Sequence, residues 1–164
     1  VGYGTLSIRH EGPQFLITGS GSGHLPRLHH EHWCLVEECS PETNSVRSRG
    51  PTRASAESTT HDAVYAANPT VDCVIHIHSR AMFDTLIARS DIPRTPADVP
   101  YGTPAMAAAV SALVRDLAAA GKGRLPALFV MAGHDEGIVA YGRGVRSVTD
   151  LVIATLKQIS NQEA

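Results

Sequence analysis

A chain of 164 residues, 43% hydrophobic and 18% charged, is long enough to bury one core and too short for two domains of ordinary size. Its formal net charge of −2 gives no electrostatic case for nucleic acid or an acidic membrane surface, and no apolar run reaches the roughly 18 residues of a membrane span. The opening V-G-Y-G-T-L-S-I-R has neither the basic nor the apolar region of a signal peptide, and Cys34, Cys39 and Cys73 match no disulfide framework, so free thiols in a soluble cytoplasmic protein are expected.

Residues 5–9 alternate Leu6 and Ile8 against Thr5, Ser7 and Arg9, and Glu11-Gly12-Pro13 separates them from a second apolar run, 15–18, which predicts a hairpin. The G-S-G-S-G that follows (19–23) is a loop whose backbone N–H groups can approach a ligand, although it fits neither the Walker pattern nor the dinucleotide fingerprint. His29, His30 and His32 crowd a stretch with no scaffold for zinc-finger geometry and read as a solvated loop before a strand at 33–38. Residues 40–53, broken by Pro41, Asn44, Gly50 and Pro51, are a hairpin or loop. A helix is expected over 55–67, with Ser55 as N-cap, Glu57 in the first turn and Asn68-Pro69 as the stop.

The stretch 71–79, V-D-C-V-I-H-I-H-S, carries the strongest chemical signal. In a strand His76 and His78 share a face while Cys73, Ile75 and Ile77 take the other, so two imidazoles stand side by side where one metal ion can bridge them. Glu57 upstream and His134 downstream, both at predicted element ends, join them, and three neutral histidines leave a tetrahedral ion one open position, the mark of a catalytic rather than a structural zinc. A metallo-β-lactamase motif requires Asp where Arg80 stands, a cupin requires a Glu where Asp84 is the only carboxylate nearby, and an amidohydrolase barrel requires roughly 250 residues. Further on, 81–89 reads as a short helix and 92–100, with three prolines, as a loop. Thr103 caps and Pro104 opens a helix that ends before Gly121; 127–131 and 137–141 are strands flanking A-G-H-D-E-G, and a last helix runs over 147–159 with Ser147 as its cap. Strands and helices without a regular βαβ rhythm point to a mixed sheet with helices on its faces.

Taken in order, these motifs resemble the class II aldolase/adducin family nearly end to end. The segments are G-T-L-S-I-R (4–9), F-L-I-T-G-S-G (15–21), S-A-E (55–57), H-I-H-S (76–79), P-Y-G-T-P-A-M (100–106) and G-H-D-E-G-I-V-A-Y-G (133–142). The resemblance implies a three-layer α/β/α fold around a mixed, mostly antiparallel sheet, in one domain over 1–164 that lacks the family's leading N-terminal helix. It implies metal ligands His76, His78 and His134 with zinc as the expected ion, Glu57 as acid/base, and an anion site from Thr5, Thr18, Gly19 and Ser55. The activity implied is that of a metal-dependent lyase: reversible aldol cleavage, through an enediolate, of a small hydroxy-carbonyl or sugar-phosphate substrate in carbohydrate metabolism, by a homo-oligomer, expected to be a tetramer. Epimerisation, dehydration or decarboxylation on the same scaffold, and a non-catalytic adducin-like interaction module, are the alternatives. The chain departs from the family pattern at Thr5, where the family has Asn, at Ala56, where it has a second Ser, and at Asp135-Glu136, which intervene after His134; no counterpart of its catalytic tyrosine is evident in the loop before Tyr101.

Overall fold

The computed structural model describes residues 4–161; the reading of the chain's opening at Val1 lies outside them. Seven strands form one sheet in the order β4-β3-β2-β1-β5-β7-β6. These are β1 (Gly4–Arg9), β2 (Phe15–Thr18), β3 (Trp33–Ser40), β4 (Ser45–Arg49), β5 (Cys73–His78), β6 (Ala127–Val130) and β7 (Gly137–Gly142). Every strand pair is antiparallel, and the parallel element of the expected mixed sheet is reduced, among the described residues, to an isolated bridge between Arg94 and Val130. The ambiguous stretch 40–53 proves to be the β3–β4 hairpin, with a register shift between Val36 and Glu38 and a turn in which Asn44 takes φ 50°.

Helices cover both faces. Strand alternation sends Ser7, Phe15, Ile17, Val36, Val74 and Val139 to one side, where they are buried with residues of α1 (Ser58–Ala67) and α3 (Pro104–Ala119). The other side of β5, β6 and β7 packs on α2 (Arg80–Ile87) and α4 (Val145–Ser160). The three expected layers are therefore present. Two helix starts differ from the sequence reading. Helix α1 begins at Ser58 rather than 55, because Ser55 Oγ accepts from the Glu57 N–H and bonds to Thr5 Oγ1, which leaves Glu57 itself at the N-cap position. Helix α4 begins two residues before Ser147, after Gly144 in the left-handed region (φ 76°), and Ser147 Oγ donates back to the carbonyls of Arg143 and Gly144 instead of capping.

One polar network lies inside the α1 side of the core. Ser7 Oγ lies 2.7 Å from Nδ1 of the fully buried His61 and 2.8 Å from the Tyr65 hydroxyl, tying β1 to α1. Burial pushes the His61 pKa down to about 3. The unfolded chain, with an ordinary histidine near 6.5, then binds the proton first, so this group's contribution to stability is complete above about pH 6.5 and is lost as pH falls toward 3, by on the order of a few kcal/mol. Asp62, raised by burial to about 6, acts in the opposite sense over its own range. Denaturant titrations of the protein and of His61→Leu isolate the effect: the parent should lose stability relative to the variant steadily below pH 6.5, and a difference independent of pH would rule it out.

Candidate metal centre

The register explains how the histidines meet. In β5, His76 is paired with Thr5 of β1 and Val139 of β7, and His78 with Gly137, the first residue of β7. The turn before Gly137 thus lies over the end of β5 and delivers His134 between the other two. Ring centroids are 4.8 Å apart for His76 and His78, 5.1 Å for His76 and His134, and 4.6 Å for His78 and His134. One ligand atom from each lies within 4.8 Å of the others. At the edge of the site the exposed Arg80 reaches Asp135 (2.6 Å) and Glu136 (3.2 Å), so the two residues inserted after His134 are stitched to the first residue of α2.

The electrostatics favour a cation. Burial first, then the neighbouring imidazoles, holds His76 far below the ordinary histidine range; burial takes His134 down to about 4 and lowers His78, against the pull of Glu136 and Asp135. All three are neutral at physiological pH, the protonation state in which imidazole ligates metal. His76 Nε2 is enclosed with no hydrogen-bond partner, as is Glu57 Oε2, which stands 3.7 Å from His76 Nδ1. With His76 neutral this contact is not an ion pair, and it is too long for a hydrogen bond. An ion among the three rings would satisfy the orphaned nitrogen, so the donor set fits a divalent metal that prefers nitrogen ligands, as zinc does.

These residues line a cavity of about 700 Å³. Thr5, Gly19, Ser55 and Glu57 border it with the histidines, whereas Thr18 does not: its hydroxyl accepts from the Leu6 N–H and joins β2 to β1. Thr5 and Ser55 also spend hydroxyl groups on each other, 3.1 Å apart. Glu57 is buried on this wall, and burial raises its pKa although a Thr60 hydrogen bond resists. Sequence reasoning missed Tyr101, whose exposed ring stacks on His134 with centroids 4.0 Å apart and an interplanar angle of 27°. The only signal was its place in P-Y-G-T; that the loop folds over His134 is not encoded locally.

His134 is held in place by an absence of side chains. A Cβ on Gly137 would come within 2.6 Å of His134 Cδ2 and 3.0 Å of the His134 carbonyl oxygen, and one on Gly133 would collide with the Val99 carbonyl. Gly137→Ala should therefore push the third imidazole out of line without touching a ligand. A loss of about 10–100-fold in zinc affinity, typical of disturbed ligand support, is expected in a chelator competition; unchanged affinity would show that the turn absorbs the methyl group.

The fold is that of solved sugar-phosphate aldolases. L-fuculose 1-phosphate aldolase superposes with a TM-score of 0.68 at 17% identity, over 96% of this chain and 73% of its own. A sugar-phosphate aldolase from Thermotoga maritima gives 0.68 at 18% (96% and 82%), and L-fuculose-1-phosphate aldolase from Thermus thermophilus gives 0.65 at 21% (98% and 82%). No curated protein sequence matches the chain. The family defined as "Class II Aldolase and Adducin N-terminal domain" matches residues 1–157, and the chain belongs to that family.

Proposed function

We propose that this protein, one class II aldolase/adducin domain over 1–164, is a metal-dependent lyase. Its reaction is the reversible aldol cleavage of a small hydroxy-carbonyl or sugar-phosphate substrate. The observation that carries this reading is the convergence on one cavity wall of three buried or half-buried neutral imidazoles and a buried carboxyl group with an unpartnered oxygen. His76, His78 and His134 would hold the ion, which when bound supplies a Lewis acid that draws electron density from a substrate carbonyl.

Glu57 moves the proton. In the condensation direction its carboxylate removes a proton alpha to the carbonyl; in the cleavage direction the carboxylic acid returns one to the same carbon. Burial suits it to both tasks, because a carboxyl group with a raised pKa holds its proton longer and is a stronger base once that proton is lost. Tyr101 and residues of the 19–23 loop border the cavity beside the histidines and Glu57. The reading carries with it a homo-oligomer, a tetramer with the cavity at a subunit boundary, which light scattering checks. Among the described residues no helix is long and apolar enough to cross a membrane.

Deuterium exchange alpha to the carbonyl tests the proposal, with zinc-loaded protein and a panel of hydroxy-ketones, free and phosphorylated. Exchange above background on at least one, abolished by a chelator, is expected. Its absence on every member would favour the adducin-like interaction module instead.

A further inference from the structure

A second cavity, of about 510 Å³, adjoins the first and shares Ser20, Ser55 and Ala56 with it. The two differ in charge. The first contains the histidines together with Glu57, Asp135 and Glu136; the second has no carboxylate on its wall and a single cation, Arg53. Arg53 is exposed, and the same wall carries neutral polar side chains, including Ser48, Thr59 and Asn44.

Arg53 has no acidic partner among the described ion pairs, yet its backbone is fixed. Its carbonyl accepts from the Ser20 N–H (2.9 Å), Ala54 bridges to Gly19, and a side chain at Gly19 would run into Thr52. The far wall is fixed as well, because Asn44 Nδ2 donates to the Gly102 carbonyl (3.0 Å) and ties the Tyr101–Gly102 segment to the β3–β4 turn. The border between the cavities carries the hydroxyl groups of Ser20 and Ser55 and no charge: Ser55 Oγ accepts from the Glu57 N–H and is bonded to Thr5 Oγ1, and Ala56 offers no side-chain donor. Arg53, two residues upstream of Ser55, is the one arginine or lysine among the described residues that line either cavity, and it lines the second.

We infer that Arg53 and the second cavity form an anion-binding subsite, so that the substrate crosses the border at Ser20, Ser55 and Ala56. Its hydroxy-carbonyl end lies at the histidines and a phosphate or carboxylate at its far end lies against the Arg53 guanidinium. The placement of the reacting end rests on the proposed function; the anion site does not. A planar guanidinium pairs with either anion through two parallel hydrogen bonds, and the extended route selects substrates with several carbons between carbonyl and charge.

Calorimetric titration of the whole protein, zinc-free and zinc-loaded, with inorganic phosphate and separately with acetate distinguishes the two anions. Arg53→Gln should weaken binding of the preferred anion by at least about tenfold, whereas Arg27→Gln, an exposed cation lining neither cavity, should not. Zinc content should be unchanged in both variants. On the substrate panel, Arg53→Gln should raise KM for anionic members by a similar factor, leave kcat within about threefold, and leave neutral members unaffected. Anion binding that is absent in the parent protein, or equal in parent and Arg53→Gln, overturns the inference. Arg53-dependent binding without turnover of any panel member would sustain the subsite while defeating the proposed reaction, and turnover of anionic members insensitive to Arg53 would do the reverse.

Discussion

Alanine at position 76 is expected to leave the purified protein without metal. His76 sits at 2% exposure in the strand at the heart of the sheet, hydrogen-bonded on both sides, so no other side chain can swing in to replace it. Two imidazoles, one of them half-buried, then remain for an ion that needs three protein ligands in an open catalytic site. Metal analysis after dialysis should read about one zinc per chain for the parent and close to none for His76→Ala, with His134→Ala behaving alike. The fold itself should survive. Nothing else bonds to His76 Nε2, and the substitution removes a buried polar group whose ring nitrogen is unsatisfied without metal, which offsets part of the cost of the space left behind. Full metal retention in both variants, or metal held instead by His29, His30 and His32, would end the assignment of this centre.

The second large effect belongs to Glu57→Gln. Glutamine keeps the size and one carbonyl oxygen but transfers no proton, so alpha-deuterium exchange should slow by about 10²–10⁴-fold with metal content unchanged. A purely structural role predicts something else, and here the fold helps to separate the two. Although Glu57 stands at the N-cap of α1, its side chain makes no backbone capping hydrogen bond, so glutamine forfeits the interaction of a charge with the helix dipole, at most about 1 kcal/mol, together with the charge on the Thr60 hydrogen bond. Since burial already disfavours that charge, stability should hold or rise. Equal exchange rates at matched metal content would remove Glu57 from the chemistry.

Much of this was legible from residue spacing, for reasons that also mark where legibility stops. Period-two alternation is a local property, and it sufficed to put His76 and His78 on one face and to find the β1–β2 hairpin; Thr103-Pro104 and Gly121 bounded α3 for equally local reasons. Spacing was silent where a side chain had a distant partner. Ser55 looked like an N-cap, but Thr5 lies beside it in the fold, and the helix starts three residues later. Thr18, expected at the anion site, lends its hydroxyl oxygen to the Leu6 N–H of the neighbouring strand, a partner that spacing does not reveal. Tyr101 reaches His134 because a loop from 33 residues upstream folds over it, and the wall of the second cavity is assembled from Ser20, Asn44, Arg53 and Gly102, four points on separate loops. No window along the chain contains that juxtaposition.

The three histidines are not held with equal firmness. His76 and His78 belong to a strand with neighbours on both sides and separate only when the sheet comes apart. His134 belongs to a short turn closed by backbone hydrogen bonds (its own N–H to the Met131 carbonyl, the Gly137 N–H to its carbonyl, and Met131 N–H to Gly137) and by the surface ties of Arg80 to Asp135 and Glu136 and the stacking of Tyr101. Breaking these requires a local opening far cheaper than unfolding the domain. An ion bound here would be gripped by two fixed jaws and one hinged one. Its capture and release would then follow the closing and opening of residues 131–136 and not the stability of the protein as a whole.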